Sequence, residues 1–173
     1  MNSSDSEKAD VWLSVSFDAD QYGRALCWTA TEGRTNLYAT YGKFAGSLHL
    51  PTDCGLRVEV HGYGNKTLQS FQIQSVCLVT VPADSELGPS PFVGQTTASV
   101  VIDDFPLCDS IVYDPHIGRA YGIAASQVPL QIGSTSGAWQ VSMILTVLIV
   151  DGAGKRQRVF GFDPESQVGN GTR

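Results

Sequence analysis

The stretch that decides the fold is AWQVSMILTVLIV (138–150), followed by DGAG (151–154) and KRQRVFGFD (155–163). Its first half alternates, with Trp139, Val141 and Met143 on one side and Ala138, Gln140 and Ser142 on the other. A period of two belongs to a β-strand. Its second half is apolar on both sides, which predicts a strand sunk in a sandwich core. The glycines of DGAG can adopt the positive φ of a tight hairpin turn, so 155–163 is expected to return antiparallel.

Outward from this hairpin the same period recurs. VWLSVSFD (11–18) sets Val11, Leu13, Val15 and Phe17 against Trp12, Ser14 and Ser16. GLRVEVHG (55–62) sets Leu56, Val58 and Val60 against Arg57, Glu59 and His61. SFQIQSVCLVTV (70–81) is a long strand that stops at Pro82, which has no N–H to donate. Shorter strand-like runs lie at 25–31, 35–40, 46–51, 96–103, 118–125 and 128–133, with a Pro/Gly/Ser-rich loop at 83–95 and irregular chain at 104–118. The prediction is an all-β fold, an antiparallel β-sandwich or jelly roll of about nine to eleven strands. One domain over 10–165 is expected, with a disordered tail at 1–9 and a flexible one at 166–173. No βαβ unit is present, so no parallel sheet is expected.

Composition agrees. The chain holds 17 Val, 8 Ile and 12 Thr but only 5 Glu and 4 Lys, which favours pleated surfaces over helices. Its 173 residues can bury roughly 70% of the unfolded surface, enough for a core without covalent staples. The net charge of −6 and the lack of a basic run beyond Lys155, Arg156 and Arg158 argue against nucleic acid and anionic membranes as partners. Met143–Val150 is too short to span a bilayer. The polar, acidic start MNSSDSEKAD has no signal-peptide character, so a cytoplasmic location is expected. The four cysteines, Cys27, Cys54, Cys77 and Cys108, lack CxxC spacing and read as reduced thiols rather than zinc ligands.

Chemistry is sparse. GYGNKT (62–67) lacks the spacing of a phosphate loop, and GSTSG (133–137) has Thr135 where a nucleophile elbow has serine. His49, His61 and His116 form no HxH or HExxH pair, so neither a metal nor another cofactor is expected. The aspartates at 103–114 suit turns, with calcium or a glycosidase-type carboxylate pair as alternatives. No catalytic residue stands out, and the protein reads as a non-enzyme. The aromatic candidates for ligand contact are Trp28, Tyr38 and Tyr63, with Asn65 as a polar rim. Such rings pack on the C–H faces of sugars while rim groups take the hydroxyls. A hydrolase or metal enzyme on the same scaffold is a further alternative.

The C-terminal layout, an apolar strand, DGAG, KRQRVFGF and then Asp163-Pro164, resembles the ending of the PixA/AidA family of bacterial inclusion-body proteins. Those chains close on a Trp-Asp-Pro or similar triplet; here it is Phe162-Asp163-Pro164. VWLSVSFDAD and GLRVEVHGYG are compatible with the family's opening and charged strands. This chain departs in its four cysteines and in lacking an aromatic pair before the aspartate. The resemblance implies a β-sandwich made in a bacterial cytoplasm, held in inclusions or released later. It implies action by self-association into a homo-oligomer or by binding a host protein or other host molecule; a glycan partner rests instead on the aromatic candidates above. It carries no catalytic residues. Asp163 and Pro164 are expected to be structural, closing the chain end and fixing its exit direction.

Overall fold

The computed structural model describes residues 10–39 and 47–162. Asp163, Pro164 and both predicted tails lie outside the described residues. Twelve strands follow in order: β1 (Val11–Asp18), β2 (Cys27–Glu32), β3 (Thr35–Asn36), β4 (Ser47–Leu50), β5 (Gly55–Gly64), β6 (Ser70–Pro82), β7 (Ser99–Ile102), β8 (Val112–Asp114), β9 (Arg119–Ala125), β10 (Leu130–Gln131), β11 (Gly137–Asp151) and β12 (Gly154–Phe162). No helix occurs among the described residues. A seven-stranded sheet runs β3-β2-β1-β5-β9-β8, with β10 extending the β9 side of β5; a five-stranded sheet runs β12-β11-β6-β7, with β4 paired to β11. The all-β sandwich is therefore as expected, with twelve strands rather than nine to eleven.

One pairing departs from the expected antiparallel pattern: β1 and β5 are parallel neighbours, from Val11↔Leu56 to Asp18↔Tyr63. A hairpin cannot join parallel neighbours. Between them the chain builds β2 and β3, crosses to the other sheet as β4, and returns as β5 in the direction of β1. The crossover is made by strands, so the absence of a βαβ unit did not exclude it.

The alternating residues face inward as read. Val11, Leu13, Val15 and Phe17 from β1, and Leu56, Val58 and Val60 from β5, are buried against Val141, Met143, Leu145, Val147 and Ile149 of β11. The inner face of β6 changes parity: Phe71 and Ile73 point in, then Val76, Leu78 and Thr80. A bulge does this, because the register with β11 shifts between Thr146↔Ser75 and Val147↔Ile73 and leaves Gln74 without an opposite residue. Thr80 is buried with its hydroxyl donating to the carbonyls of Pro89 at 2.8 Å and Ala98 at 3.2 Å.

The second half of β11 corrects an expectation. It is not buried on both faces: Ile144 is 49% exposed, and Leu148 and Val150 are half-buried. Alternation holds to the end of the strand, and the outer apolar side chains face away from the core. The β11–β12 turn is tight as predicted, with Gly154 at φ 114° and the Ala153 N–H donating to Asp151 Oδ1 at 2.9 Å. Asp151 is also ion-paired to Arg156. No disulfide joins the four cysteines. No helix among the described residues is long and apolar enough to cross a membrane.

Candidate functional site

The parallel pairing of β1 with β5 gives the outer face of the seven-stranded sheet its character. Side chains that alternate outward along β2, β1, β5 and β9 line up in rows. Thr29, Ser14, Glu59 and Ala125 form one row, and Cys27, Ser16, His61 and Ile123 the next. Asp18, Tyr63, Tyr121 and Val112 form a third. In the first two rows the β1–β2 side is small and mostly hydroxylated and the β5 side is large; in the third, Asp18 faces Tyr63. The result is a shallow groove of about 220 Å³, floored by Ser14, Ser16, Cys27 and Thr29, with His61 and Tyr63 as its high wall.

The wall is held in place by polar contacts within the sheet. His61 and Glu59 stand two residues apart on β5, hence on one face. His61 Nε2 lies 2.6 Å from Glu59 Oε1, and Ser14 Oγ donates to the same oxygen at 3.4 Å. The two β5 side chains are 27% and 29% exposed, so the pair is accessible from solvent. At one end of the face, Arg57 donates from Nε to Asp10 Oδ2 at 2.7 Å and from Nη1 to the carbonyl of Gln127 at 2.9 Å, with its guanidinium 6.0 Å from the Trp12 ring centroid. At the other end Tyr63 and Tyr121 lie 6.3 Å apart, and Arg119 is ion-paired to Asp18 and lies 3.7 Å from Asp20.

The four residues singled out from sequence fall into two pairs. Trp28 is opposite Val15, an inward position, so its ring is turned toward the core. It stacks on Phe162 at 4.7 Å and 9°, and meets Tyr38 edge-on at 4.8 Å. These two ring contacts are with this chain's own aromatics, although the residue borders the groove. Tyr63 stands on the outer face. Asn65 lies past the end of β5, its Oδ1 accepting from the Thr67 N–H at 2.8 Å and hydroxyl at 2.7 Å, its Nδ2 donating to Asp20 Oδ1 at 2.9 Å. It shapes the turn into β6.

Sequence reasoning found Tyr63 but passed over Glu59, Ser14, Ser16 and Cys27. The signal for Glu59 and His61 was the spacing in VEVH, which puts both on one face of a strand. No signal joined them to Ser14 and Ser16, because the neighbour of β5 depended on the crossover.

No family model matches this chain, and no curated protein or solved structure matches it. The chemistry of the face therefore carries the functional reading. Among the described residues, no group of three or more His, Cys, Asp or Glu side chains is placed to hold a metal ion. β1 is paired to β2 from Val11 to Ser16 on one side and to β5 from Val11 to Asp18 on the other. Its amides are committed to ladders, so a hydroxyl in the middle of this face has no cluster of free backbone N–H groups beside it. What the face presents is hydroxyls, a carboxylate–imidazole pair and phenol rings at fixed spacing.

Proposed function

We propose that the protein is a non-catalytic binding protein that holds a polyhydroxylated ligand, a glycan, on the outer face of its seven-stranded sheet. The observation that carries the reading is the row Glu59–His61–Tyr63 along β5, facing a floor of hydroxyl side chains. A ring face beside paired donors and acceptors suits a sugar, whose C–H groups pack on the phenol while its hydroxyls exchange hydrogen bonds with imidazole, carboxylate and serine. The shallow groove fits one or two sugar units and predicts modest affinity. The reading as a bacterial inclusion-body protein of PixA/AidA type, made in the cytoplasm and meeting a host glycan or host protein, is supported by the C-terminal hairpin. A hydrolase would have to activate Ser16 through the Glu59–His61 pair. The lack of free amides beside Ser16 counts against that alternative.

A glycan array probed with and without calcium tests the proposal, followed by calorimetry on the glycans found. Tyr63→Ala and His61→Ala are each expected to weaken binding about tenfold, close to 1.4 kcal/mol, with an unchanged circular-dichroism spectrum. A blank array under both conditions removes the proposal, as does a ligand whose affinity ignores both substitutions.

A further inference from the structure

The outer face of the five-stranded sheet has the same pleat as its counterpart but almost no charge. Ser142, Ile144 and Thr146 point outward from β11, and Cys77, Val79 and Val81 from β6. Val101 on β7 and Val159 on β12 complete the patch. The row Gly161–Ile144–Cys77–Val101 crosses four strands. Ile144, Val101, Val81 and Val159 are 49%, 60%, 50% and 41% exposed. Along the described strands, the only ionisable groups on this face besides the Cys77 thiol are His49 and Lys155, at opposite ends of the sheet.

Charge selects what can cover such a face. Each chain carries a net −6, so most approaches of two copies bring like charges together. The outer face of the seven-stranded sheet carries Asp18, Glu59, Arg57 and Arg119. A neutral apolar face is self-complementary, which a two-fold contact requires. Strand edges are poorer candidates. The Gly161 N–H on the β12 edge donates to the Arg24 carbonyl at 2.8 Å, and the Gly161 carbonyl accepts from the Leu26 N–H at 3.0 Å. On the same strand Arg156 and Arg158 donate to carbonyls of the loop after β1. The edges of the other sheet, β3 and β8, are two and three residues long. Short or covered edges resist strand addition.

We propose that this face is a self-association surface, occupied by a second copy of the chain packed sheet on sheet about a two-fold axis near Ile144 and Cys77. Three strands about 4.8 Å apart, each contributing roughly 25 Å of length, and the four-residue β7 with about half of that, offer about 400 Å² per partner. That is near half of a standard interface, so the dimer is weak and forms in the micromolar range or above. The proposal stands independently of the glycan reading, since it concerns the opposite face.

Sedimentation velocity on the full chain up to about 500 micromolar tests it. The weight-average mass is expected to climb from the 18.5 kDa of one chain toward twice that value. Ile144→Glu and Val101→Glu, each made separately and checked for a native circular-dichroism spectrum, should remain monomeric, a loss of at least tenfold in association. Val93→Glu, at a 64% exposed apolar position off this face, should associate like the parent. An equimolar mixture of Ile144→Glu and Ile144→Lys should recover association, because a nearby two-fold sets the new charges against each other. A parent that stays monomeric throughout overturns the proposal. So does a dimer that survives both glutamate substitutions.

Discussion

Gly62→Ala is a sharp test of how the two sheets meet. Gly62 of β5 and Gly122 of β9 are directly paired, and both are buried. Together they leave a gap in the inner face of the seven-stranded sheet, and the ring of Phe71 from the five-stranded sheet enters it. A Cβ on Gly62 would lie 2.6 Å from Phe71 Cε1 and 2.8 Å from Phe17 Cζ. Carbon atoms at rest sit about 3.5–4.0 Å apart, so both rings would have to retreat by about 1 Å. Neither has room. Phe71 is fully buried, meets Phe17 edge-on at 5.4 Å, and its backbone exchanges two hydrogen bonds with Cys108, at 2.9 and 3.0 Å. Phe17 is in turn stacked on Phe160 at 5.0 Å. Overpacking of this kind costs about 1–3 kcal/mol, against which the stiffer unfolded chain returns about 0.4–1 kcal/mol. A net loss of about 1–2 kcal/mol is expected, read as a lower urea midpoint at constant slope. Phe71→Leu alone should also destabilise, but combined with Gly62→Ala it should cost less than the sum, because the smaller side chain vacates the contested space. Equal or greater stability in Gly62→Ala, or strict additivity in the double variant, would refute the reasoning.

Trp28→Ala should cost about 2–4 kcal/mol through the lost stack on Phe162 while leaving glycan affinity within twofold, as chemical denaturation and calorimetry on one preparation would show. Arg158→Ala removes donors to the carbonyls of Gln21 and Gly23 and a cation 5.0 Å from the Phe160 ring centroid; the expected loss is about 1–2 kcal/mol, with faster amide exchange confined to 19–24. Burial pushes the Cys108 thiol above its ordinary 9.0, with Asp109 adding to the rise and backbone hydrogen bonds opposing it. A raised folded value means that its contribution is complete below about pH 9 and is lost as pH climbs through the folded pKa, so the alkaline fall in urea midpoint should be shallower in Cys108→Ala. Thiol titration of the native protein should find Cys27 fast and Cys77 slower, with Cys54 and Cys108 reacting only after denaturant is added.

Much of the fold was legible because one face of each sheet is buried. A strand with one buried face must alternate, so β1, β5 and β11 could be read residue by residue. β6 was harder, because its bulge changes the inward parity at Gln74 and, beyond it, the outward Cys77, Val79 and Val81 are as apolar as the inward Val76 and Leu78. β11 misled for a different reason. Ile144, Leu148 and Val150 are apolar without being buried, and hydrophobicity alone does not distinguish an inner face from an outer one. Neighbour relations were not legible either. The parallel match of β1 to β5 depends on a crossover through β4, and it is this match that puts Ser14 beside Glu59 and Ser16 beside His61. Trp28 was read as a platform for a ligand because its neighbours in sequence are polar; its spatial neighbours, Phe162 and Tyr38, lie 134 and ten positions along the chain.

The two proposals constrain one another through geometry. Two chains joined through their five-stranded sheets turn both seven-stranded sheets outward, on opposite sides of the pair. Such a dimer cannot place both grooves on one flat surface, so dimerisation adds little avidity toward a ligand layer on a sensor chip. It does let one dimer bridge two separate ligand-bearing particles. Beads coated with the glycan should therefore clump when the parent protein is added at concentrations where it dimerises. Ile144→Glu should bind those beads with the same single-site affinity yet leave them dispersed. Clumping by the monomeric variant would mean that each chain carries a second ligand site, and the division of labour between the two faces would have to be abandoned.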